Sequence, residues 1–167
     1  MEILIFSDSH GRANGMQEAI ARQVHRVDAV FFLGDGLRDV DSLELGNTPL
    51  YAVRGNCDWF SMSSAPDELL VPLGEHKIFA THGHLFNTKS GYGTLLAHAA
   101  KEGADIVLTG HTHMPHNEML PAGTVIGGKP QTKPIYLFNP GSIHSANATF
   151  GTLTIRDGIV LLSHGRL

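Results

Sequence analysis

Several short apolar runs in the first third of the chain each stop abruptly at polar residues. Glu2–Phe6 is the first run, and residues 29–33 and 49–53 form the second and third. Such runs, bounded by turn residues, are typical of buried strands. Between the first two runs, apolar residues recur at helical spacing over residues 14–25, which predicts a helix. Strands that alternate with helices predict a mainly parallel sheet at the start of the chain.

The second half of the chain repeats this organisation. Residues 77–80, 105–108 and 134–138 are further apolar runs, and each again leads into polar residues. Residues 93–102 carry a helical apolar face, which predicts a short helix before the second of these runs. The tail alternates between apolar and polar residues around an Asp-Gly dipeptide at 157–158, a strong signal for a two-residue hairpin.

The overall composition is that of a folded, water-soluble protein. The chain has 167 residues, of which 42% are hydrophobic and 17% charged, so we expect one domain over residues 1–167. The net charge of −4 and the lack of a Lys/Arg cluster argue against a stable nucleic-acid complex. The single cysteine fits a reducing compartment, and we find neither a signal peptide nor a membrane-spanning run. We therefore expect a cytoplasmic protein that does not bind membranes.

The polar residues that follow the predicted strands are rich in aspartate, histidine and asparagine. In open α/β sheets, ligands bind outside the carboxyl ends of the strands, so these side chains should converge on one crevice. Taken singly, each is an ordinary turn, cap or interior residue. Gathered together, carboxylates and neutral imidazoles are poorly stabilised without a cation. The residues are Asp8, His10, Asp35, Asn56, Asp58, His82, His84, His111 and His113.

The donor atoms in this group indicate the kind of ion. Carboxylate, imidazole and amide oxygen without thiolate suit divalent metals such as Mn²⁺, Fe²⁺ or Zn²⁺. The set is too large for one metal and is sufficient for two if one carboxylate bridges them. The seven candidate ligands are Asp8, His10, Asp35, Asn56, His82, His111 and His113.

The order of these motifs resembles a known family. Five motifs occur in the same order as in the calcineurin-like metallophosphoesterases. They are Asp-x-His at 8–10, Gly-Asp at 34–35, Gly-Asn at 55–56, His-Gly at 82–83 and Gly-His-x-His at 110–113. The chain length and the GNCD, THGH and NPGS blocks resemble the short microbial YfcE-type branch of that family. This resemblance implies an α/β fold, a two-sheet β-sandwich flanked by helices in four α-β-β-α layers.

The resemblance also implies two metal ions and assigns their ligands. Mn²⁺ is the expected ion, with Zn²⁺, Fe²⁺ or Ni²⁺ as alternatives. Asp35 is the expected bridge, because a carboxylate has two charged oxygens to share. The first ion would be held by Asp8, His10, Asp35 and His113, and the second by Asp35, Asn56, His82 and His111.

The implied activity is phosphodiester hydrolysis, in which a hydroxide held by both metals attacks phosphorus in line. The substrate would be a small phosphoester, with Asp35, Asn56 and His84 as the catalytic residues. His84 would contact the substrate phosphate or support a metal ligand. We also expect a homodimer or a higher homo-oligomer, since oligomers are common in this branch.

Cys57 is the one departure from the wider family, most of whose members have histidine at this position. One interpretation is that Cys57 is a small buried apolar residue. Another is that loss of the histidine donor biases the enzyme toward good leaving groups, such as aryl phosphodiesters, with Asp58 or His84 as a partial replacement. The departure also supports an alternative function, a non-catalytic protein-interaction scaffold that keeps the fold and metal site.

Two other features each allow two interpretations. Arg54 either faces the site or forms a structural ion pair, and the Asn-Pro-Gly-Ser block at 139–142 either shapes the site wall or merely ends a strand. Residues 59–70 and 114–133 are expected to frame the crevice. The chain lacks the His-x-His-x-Asp-His pattern of metallo-β-lactamases, which argues against that class.

Overall fold

The computed structural model describes residues 1–25, 27–59 and 64–167, and most of its strands lie in two five-stranded sheets. The first sheet combines the start of the chain with its end. It contains β1 (Glu2–Phe6), β2 (Ala29–Phe32), β3 (Leu50–Ala52), β11 (Thr149–Arg156) and β12 (Ile159–Arg166). The strand order is β12-β11-β1-β2-β3. Because β1, β2 and β3 pair in parallel, the predicted parallel start of the chain is confirmed.

The second sheet is built from the middle of the chain, in the order β4-β5-β6-β10-β7. Its central strands β5, β6 and β10 pair in parallel, whereas β4 and β7 are antiparallel edge strands. A separate two-stranded ribbon pairs β8 with β9. The strands are β4 (Glu68–Leu73), β5 (His76–Thr81), β6 (Ile106–Leu108), β7 (His116–Leu120), β8 (Val125–Ile126), β9 (Lys129–Pro130) and β10 (Ile135–Asn139).

Three helices lie on the described chain: α1 (Ala13–Ala21), α2 (Leu37–Val40) and α3 (Gly93–Lys101). Two 3-10 turns, His84–Phe86 and Thr88–Ser90, follow β5. The predicted first helix is too long, because α1 ends at Ala21 and not near residue 25. Val24 is 90% exposed, so an extension of the helix would bury no apolar surface there.

Three hydrophobic clusters establish the layers. Alternate residues of β1 face opposite sides, so Ile5 packs between the sheets and Phe6 packs outward. The outward side of the first sheet is covered by α1 through Met16, and Leu95 of α3 covers the second sheet. The order is therefore helix, sheet, sheet, helix, which confirms the four-layer sandwich implied by the family resemblance.

The hairpin near the end of the chain is also confirmed. Strands β11 and β12 pair along their whole length, and Arg156 lies opposite Ile159. Asp157 and Gly158 connect them with φ of 51° and 76°, as a type I′ turn requires. In the part of the chain that the structure describes, no helix has the length and hydrophobicity needed to cross a membrane.

Candidate metal centre

The structure brings six of the seven predicted ligands into two groups of three. Within each group, one ligand atom from every residue lies within 4.8 Å of the others. All six residues belong to loops that follow strands, as the sequence predicts. The first triad is Asp8, His10 and His113, and the second triad is Asp35, His82 and His111.

Asp35 faces both triads. Its Oδ2 lies 3.3 Å from His82 Nε2 in the second triad and 4.0 Å from His10 Nε2 in the first. Its Oδ1 accepts a hydrogen bond of 2.7 Å from the Cys57 amide. Asp8 Oδ1 likewise lies 3.0 Å from His113 Nε2 and 4.0 Å from His82 Nε2. The two triads are therefore halves of one centre.

Buried atoms without hydrogen-bond partners test whether this centre suits metal ions. Among the described residues there are five such side-chain atoms, and three belong to predicted ligands: Asp8 Oδ1, Asn56 Oδ1 and His82 Nε2. A buried polar atom left unsatisfied costs about 1–3 kcal/mol, which a bound cation would offset. His82 Nδ1 donates a hydrogen bond of 2.6 Å to Leu33 O, so Nε2 is the nitrogen that can bind a metal. The residues therefore fit divalent ions.

The backbone at the candidate ligands is also unusual. Among the described residues, seven non-glycine residues have positive φ, and five of these are candidate ligands. This left-handed conformation costs an L-residue roughly 1–2 kcal/mol, and such strain clusters at functional sites. The five are Asp8 at 56°, His10 at 43°, Asp35 at 60°, His111 at 67° and His113 at 60°.

Asp35 and His82 form a charged pair at the middle of the centre. Burial by itself would raise the pKa of Asp35, but the nearby charge of His82 and the hydrogen bond from the Cys57 amide hold that pKa well below 3.8. Burial would lower the pKa of His82, but Asp35 and Asp8 outweigh burial and raise the pKa above 6.5. A metal ion that binds His82 must therefore displace a proton.

The other histidines differ in the direction of their pKa shifts. Burial and the charge of His82 lower the pKa of His111 to about 4 and also lower the pKa of His84. The close contact with the Asp8 carboxylate raises the pKa of His113. At neutral pH, His111 therefore presents a neutral imidazole with a lone pair.

Asp8 is fixed by neighbours that sequence reasoning missed. Its Oδ2 accepts hydrogen bonds from Ser7 Oγ at 2.5 Å and from the His111 amide at 3.1 Å. The backbone carbonyl of Asp8 accepts a hydrogen bond of 2.9 Å from Ser142 Oγ. These bonds leave Oδ1 as the free oxygen of Asp8. The serine in the NPGS block was a signal for this contact, but its partner is 134 residues away.

The NPGS block supports the loop that carries His111 and His113. Asn139 Nδ2 donates hydrogen bonds to Gly110 O at 2.7 Å and to Thr112 Oγ1 at 3.0 Å. Its Oδ1 accepts a hydrogen bond of 2.9 Å from the Gly141 amide. Of the two interpretations of this block, the structure therefore supports a role in the site wall.

Two expectations about the GNCD block are wrong. Cys57 is exposed, so it is not a small buried apolar residue. Partial burial of its sulfur and the nearby Asp35 raise the pKa of Cys57 to about 11, so the thiol is neutral. Asp58 cannot replace the missing histidine as a proton donor, because both of its oxygens accept hydrogen bonds from backbone amides.

The remaining predicted residues have clear positions. Arg54 forms a structural ion pair, with Nη2 2.8 Å and Nε 3.0 Å from Asp67 Oδ1. The His84 ring lies beside the second triad, with its centre 5.4 Å from that of His82. His144, to which the sequence assigned no chemistry, lies edge-on to His10 with ring centres 5.8 Å apart.

The two segments expected to frame the crevice contain more regular structure than predicted. The first includes the start of β4, and residues 60–63 of it lie outside the described residues. The second includes β7, β8 and β9. The edge strands were missed because β4 contains a proline and β7 is mostly polar and exposed, so neither shows the apolar run of a buried strand.

Comparison with known proteins defines the class. The sequence model of one family, the calcineurin-like phosphoesterase superfamily domain, matches residues 1–158, and the chain belongs to this family. The family suggests a metal-dependent phosphoester hydrolase. The chain is similar to the probable metallophosphoesterase YsnB of Bacillus subtilis strain 168. The two are 34% identical over 143 residues, which cover 86% of this chain and 75% of YsnB.

Other relatives agree with this class. The chain is 33% identical over 103 residues to the phosphodiesterase YfcE of Escherichia coli K12, covering 55% of this chain and 43% of YfcE. A crystal structure of a predicted phosphoesterase from Streptococcus pneumoniae TIGR4 aligns with a TM-score of 0.74 and 32% identity, covering 98% of this chain and 87% of the other. Zinc-bound Vps29 of Entamoeba histolytica aligns with a TM-score of 0.72, 23% identity and 99% coverage of both chains, which shows the shared fold.

Proposed function

We propose that this protein is a dinuclear-metal-dependent phosphodiesterase that hydrolyses small phosphoesters. The observation that carries the proposal is the meeting of two ligand triads at Asp35. The partner-free atoms of Asp8, Asn56 and His82 add support, because a bound metal would give each of these buried atoms a partner. Mn²⁺ is the proposed ion, with Zn²⁺, Fe²⁺ or Ni²⁺ as alternatives, because nitrogen and oxygen donors suit all four.

Each ion would be held by residues from both sheets, with Asp35 shared. When bound, two such ions supply a hydroxide nucleophile for in-line attack and neutralise charge on the phosphoryl oxygens. The first ion would be held by Asp8, His10, Asp35 and His113, and the second by Asp35, Asn56, His82 and His111.

The residues of the chain orient this chemistry before substrate arrives. Ser7 and the His111 amide hold Asp8 so that only Oδ1 is free. Leu33 O holds His82 in the tautomer that presents Nε2. His84 is a neutral imidazole beside the second triad, and in this proposal it donates a hydrogen bond to a phosphoryl oxygen. Asp35, Asn56 and His84 are thus the proposed catalytic residues.

The preference for diesters with good leaving groups rests on Cys57. Its sulfur lies within 4.8 Å of ligand atoms of His10 and Asp35, where most of the wider family has histidine. A thiol with a pKa near 11 is a poor proton donor to a departing alkoxide. Aryl oxides leave without that proton, so aryl phosphodiesters are the proposed test substrates. The similarity to the phosphodiesterase YfcE supports the same choice.

The alternative function is a non-catalytic protein-interaction scaffold that keeps the fold and the metal site. The fold likeness to Vps29, a vacuolar protein sorting protein, is the observation that favours it. The intact ligand set and the backbone strain at five of its members are compatible with either function, so catalytic turnover is the property that distinguishes them. A cytoplasmic location and a homodimer or higher homo-oligomer remain predictions.

Turnover of bis-p-nitrophenyl phosphate with added Mn²⁺ distinguishes the two functions. We expect hydrolysis by the wild-type protein and a loss in Asp35→Asn that exceeds the ~10–100-fold cost of losing an outer-shell partner. Asp105→Asn is the control, because Asp105 is a buried carboxylate before β6, at the opposite end of that strand from His111. The scaffold function is supported if wild-type protein binds Mn²⁺ yet neither it nor Asp35→Asn exceeds background.

A further inference from the structure

Asp58 joins the two loops that carry Asp35 and Asn56. Its side chain is buried, with 6% exposure, and follows the proposed ligand Asn56 by two residues. Each of its oxygens accepts two backbone N–H groups. Oδ2 accepts from Asp35 at 2.8 Å and Gly55 at 2.8 Å, and Oδ1 accepts from Gly36 at 2.9 Å and Leu37 at 3.0 Å.

This arrangement uses the full hydrogen-bonding capacity of a carboxylate. An ionised carboxylate has about four acceptor sites and no donor, so four N–H groups saturate it. An asparagine in the same place would have one acceptor oxygen and would turn an NH₂ group toward two of the amides. Asp58 has no free lone pair for a metal and belongs to neither ligand triad.

The segment that Asp58 holds is strained and tightly packed. Asp35 has a φ of 60° and lies between Gly34 at 94° and Gly36 at 143°, so three successive residues have positive φ. A Cβ added to Gly55 would lie 2.1 Å from Asp35 Oδ1, so no larger residue fits between the loops. The Cys57 amide adds a third connection, through its hydrogen bond of 2.7 Å to Asp35 Oδ1.

We propose that Asp58 is a positioning residue that sets the relative placement of Asp35 and Asn56, and so the ability of Asp35 to serve two ions at once. The inference rests on the proposed two-metal function. Its physical basis is that the loop after β2 and the loop after β3 share one charged acceptor. Without that acceptor, four backbone N–H groups, three of them in buried residues, and one strained turn would lose their common partner.

Mn²⁺ binding measured by titration calorimetry and by electron paramagnetic resonance tests this role. We expect wild-type protein to bind two Mn²⁺ ions and to show the spectrum of an exchange-coupled pair. Asp58→Asn should weaken Mn²⁺ binding by ~10–100-fold, the cost of losing an outer-shell partner, and should lose the coupled spectrum. Asp58→Glu keeps the carboxylate on a longer side chain, so its affinity should fall between those two proteins.

Asp105→Asn is the matched control for a purely structural effect. Asp105 is also a buried carboxylate that accepts a backbone bond, from Lys77 at 2.8 Å, and its Oδ2 lies 2.7 Å from His76 Nδ1. This variant should lose stability yet keep two coupled Mn²⁺ ions.

Wild-type affinity and coupling in Asp58→Asn would overturn the inference, as would equal loss in Asp58→Asn and Asp105→Asn. If Asp58→Asn does not fold, wild-type affinity in Asp58→Glu overturns it. Turnover of the wild-type protein tests the proposed function separately. A wild-type protein that binds two ions but has no activity would contradict the proposed function, and the binding data would still decide the role of Asp58. A wild-type protein that binds fewer than two ions contradicts both.

Discussion

The strain at the candidate ligands can be measured at His113. Its φ is 60°, and its side chain is 47% exposed, with Nε2 3.0 Å from Asp8 Oδ1. His113→Ala and His113→Gly both remove the imidazole and therefore the same contacts. Alanine keeps a Cβ in the left-handed conformation, whereas glycine adopts this conformation without that cost. The difference in stability between the two variants therefore reports the backbone strain, offset by the greater freedom of glycine in the unfolded chain.

The expected magnitude follows from two opposing terms. The left-handed conformation costs alanine roughly 1–2 kcal/mol. The greater freedom of glycine in the unfolded chain costs the glycine variant about 0.5–1 kcal/mol. The net advantage of His113→Gly in the free energy of unfolding is then about 0–1.5 kcal/mol. For a domain of this size, 1 kcal/mol corresponds to roughly 2–4 °C in Tm.

Thermal and urea unfolding in the presence of a chelator measures this difference. A matched pair at His116 is the control, because this residue lies in the strand β7, where φ is extended. There the order should reverse, with His116→Ala more stable than His116→Gly. If the stability of His113→Gly relative to His113→Ala is no higher than that of His116→Gly relative to His116→Ala, the backbone at this ligand carries no strain and the reasoning from strain to function fails.

Two further predictions concern proton balance and Cys57. Because the folded-state pKa of His82 is raised, the stability from its proton is fully present below pH 6.5 and is lost as pH rises through the raised value. Mn²⁺ competes with that proton, so its affinity should rise as pH increases above 6.5, which calorimetry in buffers of different ionisation enthalpy would show. A constant affinity would contradict the assignment of His82 as a ligand. Cys57→His should increase the rate on poor-leaving-group alkyl esters by ~10²–10⁴-fold, with little change for aryl diesters, in steady-state assays. An unchanged alkyl-ester rate would show that Cys57 does not limit the leaving group.

The ligand residues could be predicted from sequence because their signals are local. Each lies directly after an apolar run, and the carboxyl ends of parallel strands meet at one edge of a sheet. The pairing of Asp8 with His113 across the chain followed only from the family resemblance. Periodicity alone predicted parallel strands at the start of the chain and did not predict how the two sheets pack.

The supporting residues could not be predicted, because their signals are long-range. Asp58 and Asp39 resemble ligands in a sequence, yet both hold backbone: Asp39 Oδ2 accepts hydrogen bonds from Ser9 Oγ at 2.5 Å and the Gly11 amide at 2.8 Å. Asp8 and Asp35 also accept hydrogen bonds, but each has a second oxygen that faces imidazole nitrogens. Whether an aspartate binds metal or holds a loop depends on which groups the fold brings to it, and amide donors have no signal in sequence.

A crystal structure of the protein grown with Mn²⁺ and phosphate is the most direct test of the central claim. We predict two ions about 3.5–4 Å apart, both bound to Asp35, with phosphate contacting both ions. A single ion, or two ions of which only one contacts Asp35, would contradict the account.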